Sequence, residues 1–168
     1  MKILITGSKG FIGKNLISVL MYKNDCEIME FDMETPVELL ANYCSNADFV
    51  FHLAGVNRPA DNSEYMTGNL IFTENLIEAL KNNVNNAPII FASSTQAALQ
   101  NPYGESKKAA EEKLLAYAHA YNTGVCVYRL PNVFGKWSQP NYNSFVATFC
   151  YNIANNIPIS VNEPEKEV

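Results

Sequence analysis

Lys2-Ile3-Leu4-Ile5-Thr6-Gly7-Ser8-Lys9-Gly10-Phe11-Ile12-Gly13 is a short apolar run that breaks into glycines spaced three apart. The run is rich in residues suited to a strand buried on both faces. From Gly10 to Tyr22 the apolar positions Phe11, Ile12, Leu16, Val19 and Leu20 follow helical spacing. A strand, a glycine turn and a helix in that order form a ready anion site. Gly7 permits the tight turn, Gly10 lets backbone approach a diphosphate, and Gly13 lets the helix pack on the sheet. Free N–H groups and the helix dipole at the helix start favour the negative charge. A glycine loop alone is weak evidence, and the alternative is a strand-to-helix turn with no ligand.

Working outward, the alternation continues. Glu27 to Phe31 reads as a second strand ending at Asp32, and Asp48 to Leu53 as a third, closed by Ala54-Gly55. Pro88 to Ala92 and Val125 to Leu130 read as a fourth and a fifth. Between them, Pro36 to Cys44, Ser63 to Asn82 and Tyr103 to Tyr121 have helical patterns, and Ser144 to Ile153 follows as a further helix. Pro158 to Val168 is read as a possible strand start that turns polar. Strand and helix in alternation predict an α/β fold, a doubly wound, Rossmann-like parallel sheet covered on both faces.

A chain of 168 residues with 48% hydrophobic content is enough for one compact domain. The net charge of -5 argues against nucleic acid or an anionic membrane as partner. No apolar stretch is long enough to span a bilayer, and the N-terminal one is too short for a signal peptide. The four cysteines, Cys26, Cys44, Cys126 and Cys150, have no CxxC spacing, and His52 and His119 are far apart. That spacing predicts no metal site and no disulfide framework, with most of the cysteines filling core space in a reducing cytoplasm. Trp137, Tyr142 and Tyr151 are expected to pack in a core in preference to stacking on a base.

Asp32 stands where an acid would accept hydrogen bonds from an adenosine ribose diol and repel a 2′-phosphate, which favours NAD(H). Lys9 argues the other way, since a cation beside the ribose would attract that phosphate. Tyr103 and Lys107 are four residues apart and share a helix face. A nearby ammonium lowers the tyrosine's pKa from its usual ~10, so that the phenol can give its proton to an alkoxide formed from a ketone. The pair opens a helix soon after Ser93-Ser94-Thr95, where a hydroxyl would hold the carbonyl oxygen. Ser94 is the first choice and Thr95 the second; the alternative is a hydroxyl cluster making ordinary turn bonds.

Taken together these residues resemble the extended short-chain dehydrogenase/reductase family. The likeness rests on Thr6-Gly7 through Gly13, His52-Leu53-Ala54-Gly55, Asn69 with Thr73-Glu74-Asn75-Leu76, Ser93-Ser94-Thr95, Tyr103 with Lys107, and Arg129-Leu130-Pro131-Asn132-Val133-Phe134-Gly135. Val56-Asn57-Arg58-Pro59, Asn101-Pro102-Tyr103-Gly104-Glu105-Ser106-Lys107 and Phe134-Gly135-Lys136-Trp137 are similar to one subgroup. That subgroup comprises the bacterial capsular-polysaccharide reductases that form UDP-N-acetyl-6-deoxy-L-talosamine.

The resemblance implies a reductase acting on a UDP-linked 4-keto-6-deoxy-N-acetylhexosamine, with Ser94, Tyr103 and Lys107 catalytic. It implies that Gly7, Gly10, Phe11, Ile12 and Gly13 line the diphosphate, and that Leu53, Ala54 and Gly55 run beside the ribose and nicotinamide. Arg58 and Asn132 become candidates for touching substrate. It also implies NADPH, whereas Asp32-Met33 stands where the subgroup often carries a basic residue, so NADP(H) and NAD(H) both stay open. By the same likeness the helices starting near Ser63 and Tyr103 would pair in a homodimer. Family members continue into a sugar-binding region, and this subgroup into a metal-binding cupin. Residues 1–168 are therefore expected to be the NAD(P)-binding part of a longer chain, truncated before the sugar-binding region. A UDP-sugar 4-epimerase, which can use the same three residues, and a non-catalytic dinucleotide-binding protein are the alternatives.

Overall fold

The computed structural model describes residues 1–161. Five strands form one sheet: β1 (Lys2–Thr6), β2 (Glu27–Phe31), β3 (Phe49–His52), β4 (Ile89–Ser94) and β5 (Val125–Leu130). Their spatial order is β2-β1-β3-β4-β5. The β1–β2, β1–β3 and β3–β4 ladders are parallel, with Leu4 opposite both Met29 and Val50. The helices are α1 (Phe11–Lys23), α2 (Glu38–Asn46), α3 (Ser63–Tyr65), α4 (Phe72–Asn82), α5 (Pro102–Tyr121) and α6 (Phe145–Ala154). Each expected strand is present within two residues of its expected ends.

β1 is central because Ile3, Leu4 and Ile5 are fully apolar and buried, so neither face needs water. One side of the core joins Leu4, Met29, Phe31, Leu40, Val50, Leu76, Leu80, Ile89, Phe91 and Leu114. Burying a side chain of this size contributes roughly 1.5–3 kcal/mol. Two helix starts are fixed by side chains: Asn101 accepts from the Gly104 amide at 2.8 Å, and Ser144 from the Ala147 amide. Pro102 in the first turn of α5 gives up an N–H that no helix bond needs.

The stretch read as one helix from Ser63 to Asn82 is three pieces. A π-helical stretch, Met66–Ile71, separates α3 from α4. Apolar periodicity does not register this break, because α4 resumes the same buried stripe at Thr73, Leu76 and Leu80. Cysteine placement also departs from expectation: Cys44 is buried, with its thiol pushed up to about 12 by burial, but Cys126 and Cys150 are exposed. Trp137, Tyr142 and Tyr151 are each more than two-fifths exposed and form no core. Residues 158–161 are not in a strand, and the rest of that expected segment lies outside the described residues.

The chain divides into two compact units, Met1–Arg129 and Leu130–Val168. The first holds the glycine loop, Tyr103 and Lys107. In the second, the Ser144 carbonyl accepts from the Thr148 hydroxyl, which in turn accepts from the Asn141 amide at 2.8 Å.

Candidate active site

In a parallel sheet a ligand crevice forms at the carboxyl ends of strands where the winding reverses. In the order β2-β1-β3-β4-β5 that point lies between β1 and β3. The loops leaving those strands meet there. Gly7 has φ +71°, and a Cβ on it would lie 2.7 Å from the Ala54 amide nitrogen and 2.8 Å from its Cα. Only glycine satisfies both demands. On Gly13 a Cβ would lie 2.3 Å from the Gly7 carbonyl oxygen, so α1 reaches the loop only because that atom is missing.

The end of α1 suits a diphosphate. Gly10 is its N-cap without a side-chain hydrogen bond, and no acidic residue stands in the first turn. The Lys9 and Gly10 amides are already given, to Asp32 Oδ2 and to the Gly7 carbonyl. An α-helix cannot use the Phe11 and Ile12 amides internally, so they remain for an anion. The Ser8 hydroxyl, in the same loop, is buried without a hydrogen-bond partner among the described residues.

Asp32 and Lys9 are more occupied than the sequence reading expected. Asp32 Oδ2 accepts from Lys9 N and Oδ1 from Met33 N, both at 2.8 Å, which ties the glycine loop to the end of β2. The Lys9 ammonium pairs with Glu34, whose charge and hydrogen bond raise the lysine's pKa.

Ser94 ends β4, and its oxygen accepts from the Gln96 amide at 3.2 Å, which starts the 3₁₀ turn Thr95–Ala98. A Cβ on Gly104 would lie 2.1 Å from the Gln96 carbonyl oxygen, so the first turn of α5 presses directly on that turn. Tyr103 is in this first turn, half-buried, with its ring 5.6 Å from that of Tyr65. One turn on, Lys107 is buried. Its Nζ lies 4.3 Å from the Phe91 ring centroid, and a Cβ added to Gly55 would be 3.4 Å from it. Burial lowers its pKa to about 8 against the opposing pull of Glu111. The structure thus brings Lys107 to the loop that contains Gly55, with Tyr103 one turn before it on α5 and Ser94 at the end of β4. Arg58 is exposed, with φ +67°. Asn132 belongs to the second unit, where its Nδ2 donates to the Asn143 carbonyl at 2.8 Å.

Two buried polar networks support the site. Asn69, in the π-helical stretch, accepts from the Val56 amide at 2.9 Å and donates to the Val56 carbonyl at 3.1 Å and to Ser106 Oγ at 2.9 Å. Ser106 in turn donates to the Tyr103 carbonyl at 2.7 Å. The loop after β3 is thereby bonded through Asn69 to the turn that carries Tyr103. Below it, His52 joins β3 to Thr6 at 2.7 Å and to Thr73 at 2.9 Å. Thr73 gives its hydroxyl proton to the Asn69 carbonyl at 2.6 Å, so it accepts from His52 Nε2, and Nδ1 accepts from Thr6. Burial, with the Lys107 charge second, lowers the His52 pKa to about 3, which keeps the ring neutral.

The profile of the NAD dependent epimerase/dehydratase family matches residues 3–166. The chain belongs to this family. It is 46% identical over 168 residues to UDP-2-acetamido-2,6-beta-L-arabino-hexul-4-ose reductase of Pseudomonas aeruginosa, covering 100% of this chain and 45% of the relative. It is similar in structure to the capsular polysaccharide assembling protein CapF of Staphylococcus aureus, with TM-score 0.85 and 47% identity over 97% of this chain and 44% of CapF. The UDP-glucuronic acid 4-epimerase of Bacillus cereus, in complex with NAD, shares the fold at 20% identity, with TM-score 0.83 over 96% of this chain and 66% of that one. The chain spans less than half the length of the reductase and of CapF.

As an epimerase/dehydratase family member the chain has a dinucleotide-dependent fold with the glycine loop where β1 ends. Among the described residues no His, Cys, Asp or Glu group is arranged to hold a metal ion, and no helix is long and apolar enough to cross a membrane. Sequence reasoning missed the Asn69–Ser106 link and the Glu111–Arg129 ion pair. Their only signal was polar residues on helix faces otherwise turned inward.

Proposed function

We propose that this chain is the cofactor-binding part of a reductase that converts a UDP-linked 4-keto-6-deoxy-N-acetylhexosamine to its alcohol for surface polysaccharide precursors. The observation that carries the reading is Lys107, a buried lysine one turn after Tyr103, held against Phe91 and the Gly55 loop. The 46% identity to a UDP-sugar 4-keto reductase supports that substrate class. A bound nicotinamide would supply the hydride to the ketone carbon. Tyr103 gives its proton to the oxygen, Lys107 lowers the pKa of that phenol by its charge, and the Ser94 O–H holds the oxygen beside it. Gly7, Gly10, Phe11, Ile12 and Gly13 bind the diphosphate, and Leu53, Ala54 and Gly55 form the wall along the ribose and nicotinamide. Arg58 and Asn132 are assigned to the sugar nucleotide. The cytoplasm, which holds nucleotide sugars and reduced cofactors, is the compartment this reading requires.

The cofactor is NADH by this reading. Asp32 places a carboxylate at the end of β2, and Lys9 is already paired with Glu34, so a 2′-phosphate there meets two carboxylates and a lysine engaged by one of them. The test uses the full-length protein, the UDP-linked keto sugar and each reduced cofactor. Oxidation of NADH in preference to NADPH is expected, with Tyr103→Phe abolishing turnover and leaving cofactor binding intact. No oxidation of either cofactor refutes the reductase, and retained turnover in Tyr103→Phe removes that residue from its role. Glu34→Gln frees Lys9 and is expected to shift the preference toward NADPH; an unchanged ratio refutes the assignment of Lys9 and Glu34.

A further inference from the structure

Glu111 is a buried carboxylate that no step above uses. It sits one turn after Lys107 on the inward face of α5, 5% exposed. Both of its oxygens are held. Oε1 accepts from the Ser93 hydroxyl in a short hydrogen bond and from Arg129 Nε at 3.0 Å. Oε2 accepts from Arg129 Nη2 at 2.6 Å and from Nε at 3.2 Å. The brace spans three elements: Ser93 on β4, Glu111 on α5 and Arg129 on β5. Ser93 precedes Ser94, and Glu111 follows Lys107 by one turn, so the brace adjoins both reacting residues without being one of them.

A buried carboxylate with one cation as its partner needs nothing further, yet a second buried cation, Lys107, stands one turn before this one on the same inward face of α5. Lys107 sits over the face of the Phe91 ring, a cation–π contact that offsets only part of the loss of water. The groups around it are Tyr103 and Glu111, each one turn away on its own helix, Phe91 on β4, neutral His52 on β3, and Asn69 from the π-helical stretch. Arg129 on β5 stands behind Glu111. Of these only Glu111 carries a negative charge. Burial pushes the Glu111 carboxyl up, but hydrogen bonds from Arg129 and Ser93 and the charges of Arg129 and Lys107 outweigh it, so it stays ionised.

We propose that Glu111 is a positioning residue for the catalytic pair: fixed by Ser93 and Arg129, it is the counter-charge that keeps the Lys107 ammonium protonated in its apolar seat beside Tyr103. The proposal rests on the reading of Tyr103 and Lys107 given above. Its consequence is a division of labour in which Lys107 acts on the phenol and Glu111 acts on Lys107.

The test is a titration of the Lys107 side chain by ¹³C NMR in the full-length protein, assigned by the signal lost in Lys107→Arg. Alongside it, the upper limb of the kcat/KM pH profile is measured. Glu111→Gln keeps the shape and removes the charge, and the Lys107 midpoint is expected to fall by about one unit or more, with the activity limb moving down with it. Arg129→Lys keeps a cation on Glu111, so Glu111 stays charged and neither readout is expected to move by more than a few tenths of a unit. Glu74→Gln breaks the surface pair with Lys113 and is expected to move neither. A merely structural brace would loosen in Arg129→Lys as it does in Glu111→Gln and shift both readouts alike. An unmoved Lys107 midpoint in folded Glu111→Gln, or an equal shift in both brace variants, overturns the proposal. If Glu111→Gln does not fold, Glu111→Asp, which draws the charge back by one methylene, is read in its place: a lowered Lys107 midpoint is expected and an unmoved one overturns the proposal. Absence of turnover in the parent protein refutes the reductase reading, and the NMR titration still judges Glu111.

Discussion

Replacing His52 by glutamine isolates one proton from the rest of acid unfolding. The ring is fully buried between Thr6 and Thr73 and neutral, with its pKa lowered to about 3. The unfolded chain binds that proton near ~6.5. Between these values the unfolded state carries more protons, so stability rises with pH and is lost as pH falls from about 6.5 toward 3. At pH 5 the gap amounts to about 1.5 pH units on the unfolded side, or about 2 kcal/mol at ~1.4 kcal/mol per unit. That is a large share of the roughly 5–15 kcal/mol that holds a domain together. Glutamine retains one donor and one acceptor for the two threonines and has no proton to gain. Urea unfolding followed by circular dichroism at pH 7.5 and pH 5 is the assay. Wild type is expected to lose about 2 kcal/mol more than His52→Gln between the two, about 1 M in urea midpoint for a typical slope. Equal losses in the two proteins would refute the buried neutral histidine.

Three further outcomes follow from contacts already described. Gly13→Ala would place a methyl 2.3 Å from the Gly7 carbonyl oxygen and 2.6 Å from that of Ser8, so α1 must move off the loop; cofactor binding, measured by calorimetry, is expected to fall by at least tenfold. Asn69→Leu keeps the volume and leaves the Val56 amide and carbonyl without partners, a cost of about 2–6 kcal/mol in unfolding free energy at ~1–3 kcal/mol per buried group. Asn101→Ala removes the cap of α5, with an expected loss of about 1 kcal/mol in thermal or urea unfolding.

The sheet was legible because each strand is a local object. Ile3 to Ile5, Val50 and Ile89 form apolar runs too short for helices, and the glycine turn after Thr6 announces the crossover. The positions of Ser94 at a strand end and of Tyr103 and Lys107 at a helix start were legible for the same reason. The supporting networks were not, since each joins residues distant along the chain. Asn69 reaches Ser106, 37 positions on, and Glu111 reaches Arg129, 18 positions on. Periodicity records that a position faces inward and is silent about which polar partner waits there. Charge pairing at the loop was hidden likewise: Lys9 reads as a free cation until the fold sets Glu34 against it. The exposed Cys126 and Cys150 show the converse, since residue type alone does not tell which face of β5 or α6 is covered.

The π-helical stretch Met66–Ile71 gives the chain a place where its length can be adjusted. A π turn takes one more residue per revolution than an α turn. Deleting a single residue there would restore ordinary winding and leave the Thr73, Leu76 and Leu80 stripe of α4 in the core. Everything upstream would keep nearly its present orientation, because the wider π turn is what absorbs the additional residue. Tyr65 would then stay beside Tyr103, while the grip of Asn69 on Val56 would be lost and the sheet would stay whole. Homologues that differ by one residue in this segment are therefore expected to share the fold and to differ in how the loop after β3 is held.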